Sequence, residues 1–289
     1  MRGEPDIDDR ELSVVIPTRD RPDLFPRAAA SVLRQGVSGV TVVVVDDGSD
    51  PPAVLGATDS LVHLHRIEPA GASAARNAGV SVLPQTRWVA FLDSDDEVAD
   101  GWVAFMLDTL RDGASLATCA ADYHWSDGSR ETPVPVQMWR SADAPRALFL
   151  AGTFAVEREL FEKVGGYRVG LRFGENTDLG LRLGAVIRSE GLRVAATDRP
   201  LLRVNAVRKP FDAAVRFESA VMQLEPADPA LVADRRLHAS YLAIAGVAAS
   251  RVGRRSTAVR YLAQAVRTDP LQWRHSVRLL RSLVKPRRT

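Results

Sequence analysis

The apolar run Val89-Ala90-Phe91-Leu92 ends abruptly in Asp93-Ser94-Asp95-Asp96-Glu97. A short apolar run closed by polar residues reads as a buried strand. Carboxylates at its carboxyl end would stand at the lip of a sheet, where open α/β folds bind ligands. Asp93 and Asp95 are two positions apart, and in an extended chain that spacing points both side chains to one side. Two hard oxygen donors so placed can hold Mg²⁺ or Mn²⁺, and the ion can in turn hold a diphosphate. The plainer alternative is a solvated acidic turn at the start of the next helix, where the helix dipole favours negative charge.

Other residues could share that chemistry. Val40-Thr41-Val42-Val43-Val44-Val45 is β-branched almost throughout and ends in a second acidic cluster, Asp46-Asp47-Gly48-Ser49-Asp50. Gly71 to Gly79 is a helix of small residues, with Arg76 its one cation; a guanidinium suits bidentate contact with a phosphate or carboxylate. Glu175 and Asp178 open a further helix, either as functional carboxylates or as first-turn acids favoured by the dipole. His63 and His65 share one face of a strand, but no third ligand stands near, and exposed-face histidines are expected. Cys119 lies in an apolar-leaning run and is expected as a buried small residue rather than a nucleophile.

The elements that must position these residues alternate. Leu12 to Pro17 is a strand, and Asp20 with Pro22 is expected to open the helix that follows. Then come the strand Val40–Val45, the strand Leu61–Ile67, the Gly71–Gly79 helix, the strand Val89–Leu92 and the helix Trp102–Leu110. Strand–helix alternation implies an α/β domain with a mostly parallel sheet and helices on both faces. Neither G-x-G-x-x-G nor a P-loop lysine motif is present, so phosphate must be met by other means. The second half differs. It holds a hairpin (Ser115–Trp125 and Arg130–Met138 about Asp127-Gly128), a short helix Ala144–Leu150 and a strand Gly152–Val156. A helix Glu157–Val164, the loop Tyr167–Gly174, the Glu175 helix and a last short strand Leu192–Ala196 follow. From Phe211 the pattern is helical only. The expected division is 1–210 as an α/β domain, with 1–11 flexible, and 211–289 as a basic α-helical appendage. One helix pair there has a tetratricopeptide-like pattern, too little for a free solenoid.

Composition is that of an ordinary globular protein, 46% hydrophobic and 26% charged over 289 residues. Charge is uneven. Arg251 to Thr289 holds eleven Lys and Arg against one acid, Asp269, while the preceding chain holds 27 basic residues against 35 acidic ones. A basic tail of this kind meets phosphates, anionic lipid or an acidic partner. Nucleic acid is not expected, because Tyr261 and Trp273 are the tail's few aromatics for stacking bases. Met1 to Glu11 is acidic without an apolar core, and no apolar run approaches the ~20 residues of a spanning helix. A cytoplasmic protein is expected, with a peripheral contact at the inner face of the membrane through its basic end.

Together these residues resemble the family-2 glycosyltransferases of GT-A fold, over roughly Leu12 to Ala196. The resemblance rests on Ser13-Val14-Val15-Ile16-Pro17-Thr18-Arg19-Asp20, Val44-Val45-Asp46-Asp47-Gly48-Ser49-Asp50 and Ala75-Arg76-Asn77-Ala78-Gly79. It rests equally on Phe91-Leu92-Asp93-Ser94-Asp95-Asp96, on Val164-Gly165-Gly166-Tyr167 and on Glu175-Asn176-Thr177-Asp178-Leu179-Gly180-Leu181-Arg182. It implies that Pro17, Thr18 and Arg19, with Asp47, meet the nucleobase and ribose of a nucleotide-sugar donor, most simply a UDP-sugar. Arg76 would lie near the uridine or diphosphate. Asp93, Ser94 and Asp95 would form a DxD-type motif, with Asp93 and Asp95 touching ribose and a Mn²⁺ or Mg²⁺ ion. Asp46 would turn its loop. The chain departs from the family at one place: where the usual Glu-Asp pair supplies the base, Asn176 stands instead of Asp. An amide cannot take a proton from an acceptor hydroxyl, which leaves Glu175 and Asp178 as candidates.

Two functions follow as expectations. One is an inverting, metal-assisted glycosyltransferase acting on a glycan, a lipid-linked or a small-molecule acceptor. The other, motivated by Asn176, is a non-catalytic nucleotide-sugar-binding scaffold. Nothing in the chain sets the sugar, the acceptor or an oligomeric state.

Overall fold

The structure is a computed structural model that describes residues 10–56, 62–82, 86–134, 150–207, 210, 212–225 and 229–283. The chain runs β1 (Leu12–Thr18), α1 (Phe25–Leu33), β2 (Val40–Asp47), β3 (Val62–Ile67), α2 (Ala72–Val82) and β4 (Trp88–Phe91). It continues β5 (Glu97–Val98), α3 (Trp102–Arg111), β6 (Leu116–Trp125), β7 (Arg130–Val134), β8 (Phe154–Glu157), α4 (Arg158–Lys163), α5 (Glu175–Glu190) and β9 (Val194–Ala206). Five helices close it: α6 (Ala213–Leu224), α7 (Pro229–Ala233), α8 (Arg235–Arg251), α9 (Arg255–Thr268) and α10 (Trp273–Leu283). The expected helix at Ala144–Leu150 falls almost wholly outside the described residues, as do residues 135–138 of the hairpin.

One sheet organises the α/β part, in the order β3-β2-β1-β4-β8-β6-β9-β5, with β7 paired to β6. Its first four strands are parallel. Beyond β4 the sheet becomes mixed: β8 is antiparallel to both neighbours, and β6 and β9 are parallel. Every residue of β1 and β2 is buried, as expected for parallel strands covered on both faces. Val14 and Ile16 pack toward α1 and α3, while Val15 packs with α2, α4 and α5 on the other face. Gly79 brings α2 close to the sheet: a Cβ there would lie 2.4 Å from Val15 Cγ1 and 3.0 Å from Val45 Cγ2. A third core joins α6, α8 and α9 and includes Leu181 of α5. No described helix is long and apolar enough to cross a membrane.

Two local expectations are corrected, and one short strand is added. α1 begins at Phe25, with Pro26 in its first turn and no side-chain cap. Asp20 instead takes a left-handed conformation, φ 53°, which short polar side chains tolerate. Its N–H donates to Ser49 Oγ at 2.9 Å, and its carboxylate accepts from Asp50 N–H at 2.9 Å, so it ties two strand-end loops together. The last strand is thirteen residues long, not five. Thr197-Asp198-Arg199-Pro200 reads as a turn, but the fold absorbs it as an irregularity: Cys119 faces Thr197, Ala120 faces Pro200 and Ala121 faces Leu202. Proline, lacking a ladder donor, is accommodated at such a bulge. Finally, Glu97–Val98 leaves the acidic loop as a two-residue strand antiparallel to β9.

Candidate active site

The carboxyl ends of β1, β2 and β4 open into a cleft of about 530 Å³. Pro17, Thr18, Arg19, Asp47, Arg76, Asp93, Ser94, Asp95 and Glu175 all line it. Residues far apart in the chain thus meet where a parallel sheet presents its loops. Asp178 is not among the lining residues.

On the wall made by the strand ends, Asp46 and Asp47 divide the work. Asp46 is buried and accepts from the N–H groups of Ser49 at 2.8 Å and Ala53 at 3.1 Å, and from Arg66 at 2.7 Å. Burial alone would raise its pKa, but these hydrogen bonds and the Arg66 charge hold it below the ordinary value. It turns the loop, as expected. Asp47 faces the cleft and accepts from the backbone N–H of Ala70 at 2.7 Å and of Gly71 at 3.0 Å. It thereby fixes the approach to α2, with Arg19 3.9 Å away.

The acids after β4 form the densest charge in the cleft. Ligand oxygens of Asp93, Asp95 and Asp96 all lie within 4.8 Å of one another. Arg21 donates to Asp95 at 2.7 Å. Asp96 is buried beneath them; burial first, then the Asp93 charge, pushes its pKa up to about 8, against a hydrogen bond from Asn205. Asn205, at the end of β9, donates its backbone N–H to Asp96 Oδ1 at 2.9 Å and its amide to the Asp95 carbonyl at 2.7 Å. Three oxygen donors in mutual repulsion fit a hard divalent cation. Among the described residues no other cluster of this kind occurs, and the paired strand histidines do not form one. His63 instead contacts Arg10 at 3.0 Å.

Arg76 links the two walls. Its side chain is buried, donates to Asp93 at 2.5 Å and approaches Glu175 to 3.9 Å. The Tyr167 ring lies 4.9 Å from its guanidinium carbon. Burial works against the charge, but Asp93, Tyr167 and Glu175 outweigh it and raise the Arg76 pKa. Nε and Nη1 of Arg76 are buried without a hydrogen-bond partner, a cost that the Asp93 and Glu175 charges and the Tyr167 ring offset.

On the far wall, Gly174 begins α5 at φ +79°. A Cβ there would come within 2.7 Å of the Tyr241 hydroxyl. Tyr241, from α8, is buried and hydrogen-bonds Thr177 and Gln223; its pKa is pushed up to about 12, chiefly by burial. Asn77 completes the frame by accepting from Tyr167 N–H at 2.9 Å and donating to the Tyr167 carbonyl at 2.8 Å. Asn176 accepts from the Tyr167 hydroxyl at 2.9 Å. Asp178 is buried between Arg168, at 3.0 Å, and Arg182, at 2.6 Å.

Sequence reasoning missed Arg21 and Arg172, which also line the cleft, and Asp96 and Asn205 beside it. Asp96 stands in the same acidic run and Arg21 just after Arg19-Asp20, so both carried a local signal. Asn205 carried none.

A sheet of this topology, with acids at its strand ends beside a cleft, is that of the GT-A glycosyltransferases. The chain belongs to glycosyl transferase family 2, whose sequence profile matches residues 13–174. It is 30% identical to the pre-mycofactocin glycosyltransferase of Mycobacterium tuberculosis, with 89% of this chain and 58% of that protein covered. A shorter stretch is 31% identical to the Escherichia coli glycosyltransferase YibD, covering 45% of this chain and 40% of that one. The chain therefore spans about 58% of the length of the mycobacterial relative. The S. aureus TarS 1-349 structure with UDP-GlcNAc shares the fold, with a TM-score of 0.63 at 14% identity, covering 94% of this chain and 89% of that one.

Proposed function

We propose that the chain is an inverting glycosyltransferase that moves a sugar from a nucleoside-diphosphate sugar, of UDP type, to an acceptor hydroxyl. The observation that carries this is the convergence of Asp47, Arg76, Asp93, Asp95 and Glu175 on one cleft. The family membership and the UDP-GlcNAc bound by a protein of the same fold support the donor class. Pro17, Thr18, Arg19 and Asp47 are assigned to the nucleobase and ribose. Arg76, at the wall of the cleft, is assigned to the uridine or diphosphate, partners that suit a guanidinium. Asp93 and Asp95, with Asp96 beneath them, would hold Mn²⁺ or Mg²⁺. Such an ion, when bound, neutralises charge growing on the departing diphosphate.

The acceptor oxygen attacks the anomeric carbon from the face opposite the diphosphate. The bond to the diphosphate oxygen breaks, its electron pair leaves with the nucleoside diphosphate, and configuration inverts. The hydroxyl proton passes to a Glu175 carboxylate oxygen. Glu175 lines the cleft, whereas both oxygens of Asp178 have guanidinium partners and its side chain is only 2% exposed. Asp178 is therefore assigned to positioning the first turn of α5.

Titration calorimetry with UDP and UDP-sugars, with and without Mn²⁺, tests the donor assignment. Turnover against an acceptor panel tests the rest, and pre-mycofactocin belongs in it because of the relative's name. The expected result is metal-dependent UDP binding, and turnover that Glu175→Gln lowers by about 10²- to 10⁴-fold. Binding by the wild type without transfer to any acceptor would favour the scaffold. That second reading rests on Asn176, whose amide is engaged by Tyr167 where the family has its usual base.

A further inference from the structure

α10 is built in three stripes. His275, Leu279 and Ser282, spaced i, i+4, i+7, form its inner side: His275 is buried, and Leu279 packs on the core shared by α6, α8 and α9. Trp273, Val277 and Leu280 repeat the same spacing on another side, with Trp273 64% and Leu280 62% exposed. Leu271 and Leu283, at the two ends of this segment, are 91% and 52% exposed. Arg274, Arg278 and Arg281 form the third stripe, one residue on from the apolar one. Arg278 and Arg281 also rim a groove of about 460 Å³ whose floor includes Ile244, Val247 and Leu262. Among the described residues no carboxylate pairs with either arginine, and Asp269 is the one acid between Arg251 and Thr289.

An apolar stripe turned outward beside unpaired arginines is the pattern of a helix lying in a membrane interface, with rings and aliphatic chains among acyl groups and cations at the headgroups. We infer that α10, with the groove it rims, is the surface by which the protein docks on an anionic bilayer. Charge complementarity selects this occupant. The segment from Arg251 is strongly positive and the remainder of the chain is net negative, so an anionic surface attracts this segment and repels the rest. A second copy meeting through the same face would set like charges together. The contact is interfacial, since no described helix can span a bilayer. It does not depend on the transferase assignment.

The test is co-sedimentation of the full chain with phosphatidylcholine vesicles, with and without phosphatidylglycerol. Two paired variants are compared, Arg278→Glu with Arg281→Glu and Trp273→Ser with Leu280→Ser. All four substitutions lie on the surface, and circular dichroism with UDP–Mn²⁺ calorimetry verifies the fold. Binding to anionic but not neutral vesicles is expected, falling with salt. The arginine pair should lower the partition coefficient about tenfold or more, and the apolar pair should lower it by a similar factor. Equal binding to neutral vesicles, or undiminished binding by both variant pairs, would overturn the inference. So would a self-association, seen by sedimentation equilibrium, that the apolar pair abolishes while vesicle binding is absent. UDP binding is measured without vesicles, so its failure and that of the docking surface are separable.

Discussion

The two walls of the cleft are built differently. One consists of loops leaving β1, β2 and β4, each within a few residues of a buried strand. The other is the first turn of α5, reached through a loop and propped from behind by Tyr241 of α8. The strand-end wall is stiff because each carboxylate is tied locally or to a neighbouring loop, as Asp46 is to Ser49 and Ala53. The helical wall depends on residues much later in the chain. On the proposed mechanism ligand charge falls on the first wall and the proton acceptor on the second, where small displacements would alter reach to the acceptor oxygen.

Six substitutions probe that division and its supports, from the largest expected effect to the smallest. Glu175→Gln should cut kcat by about 10²- to 10⁴-fold, the range of a lost general base, and leave UDP affinity unchanged. Asp95→Ala should instead abolish Mn²⁺-dependent UDP binding. Were Asp178→Asn to silence turnover at unchanged melting temperature while Glu175→Gln did not, the roles of the two acids would exchange. Arg76→Ala removes the cation between the walls. Breaking a fully buried ion pair costs about 3–5 kcal/mol, and roughly 2–3 kcal/mol is expected here because water screens the partly exposed Asp93. Urea denaturation measures it, and a loss below about 0.5 kcal/mol would show that the walls do not depend on it. Gly79→Ala should overpack Val15 and Val45 and cost about 1–3 kcal/mol, read as a lowered urea midpoint. Tyr241→Phe should cost about 1 kcal/mol for its hydrogen bonds. It should lower kcat a few-fold with the donor KM unchanged; a rise in donor KM instead would place Tyr241's influence on the strand-end wall.

The same division explains what was legible in the sequence. Val40 to Val45 is β-branched almost throughout, so the acids that follow could be placed at a strand end before any fold was known. Arg76 stood out as a lone cation among small residues. The helical wall was harder. Glu175 was a candidate, but the sequence did not separate it from Asp178: Arg182, one turn on, was in view as a helical partner, whereas Arg168 reaches Asp178 only through the fold of the loop before α5. Tyr241 and Asn205 have no pattern around them that points to a cleft. The extent of β9 was hidden by a proline that reads as a stop and acts as a bulge. The Asp20 expectation failed because an Asp before a Pro-containing run suits both a helix cap and a left-handed turn.

Asn205 sets a constraint on the order in which the protein can be completed. The acids after β4 leave the ribosome long before it, since the two bonds that hold them span 109 and 110 positions. Until that asparagine arrives, the Asp95 carbonyl and the Asp96 carboxylate lack their partners, and only Arg21 and Arg76 hold the neighbouring carboxylates of Asp95 and Asp93. Contacts of such long range form late and slow folding. The nascent chain can therefore assemble its first four parallel strands while the acidic loop still lacks its contacts from Asn205.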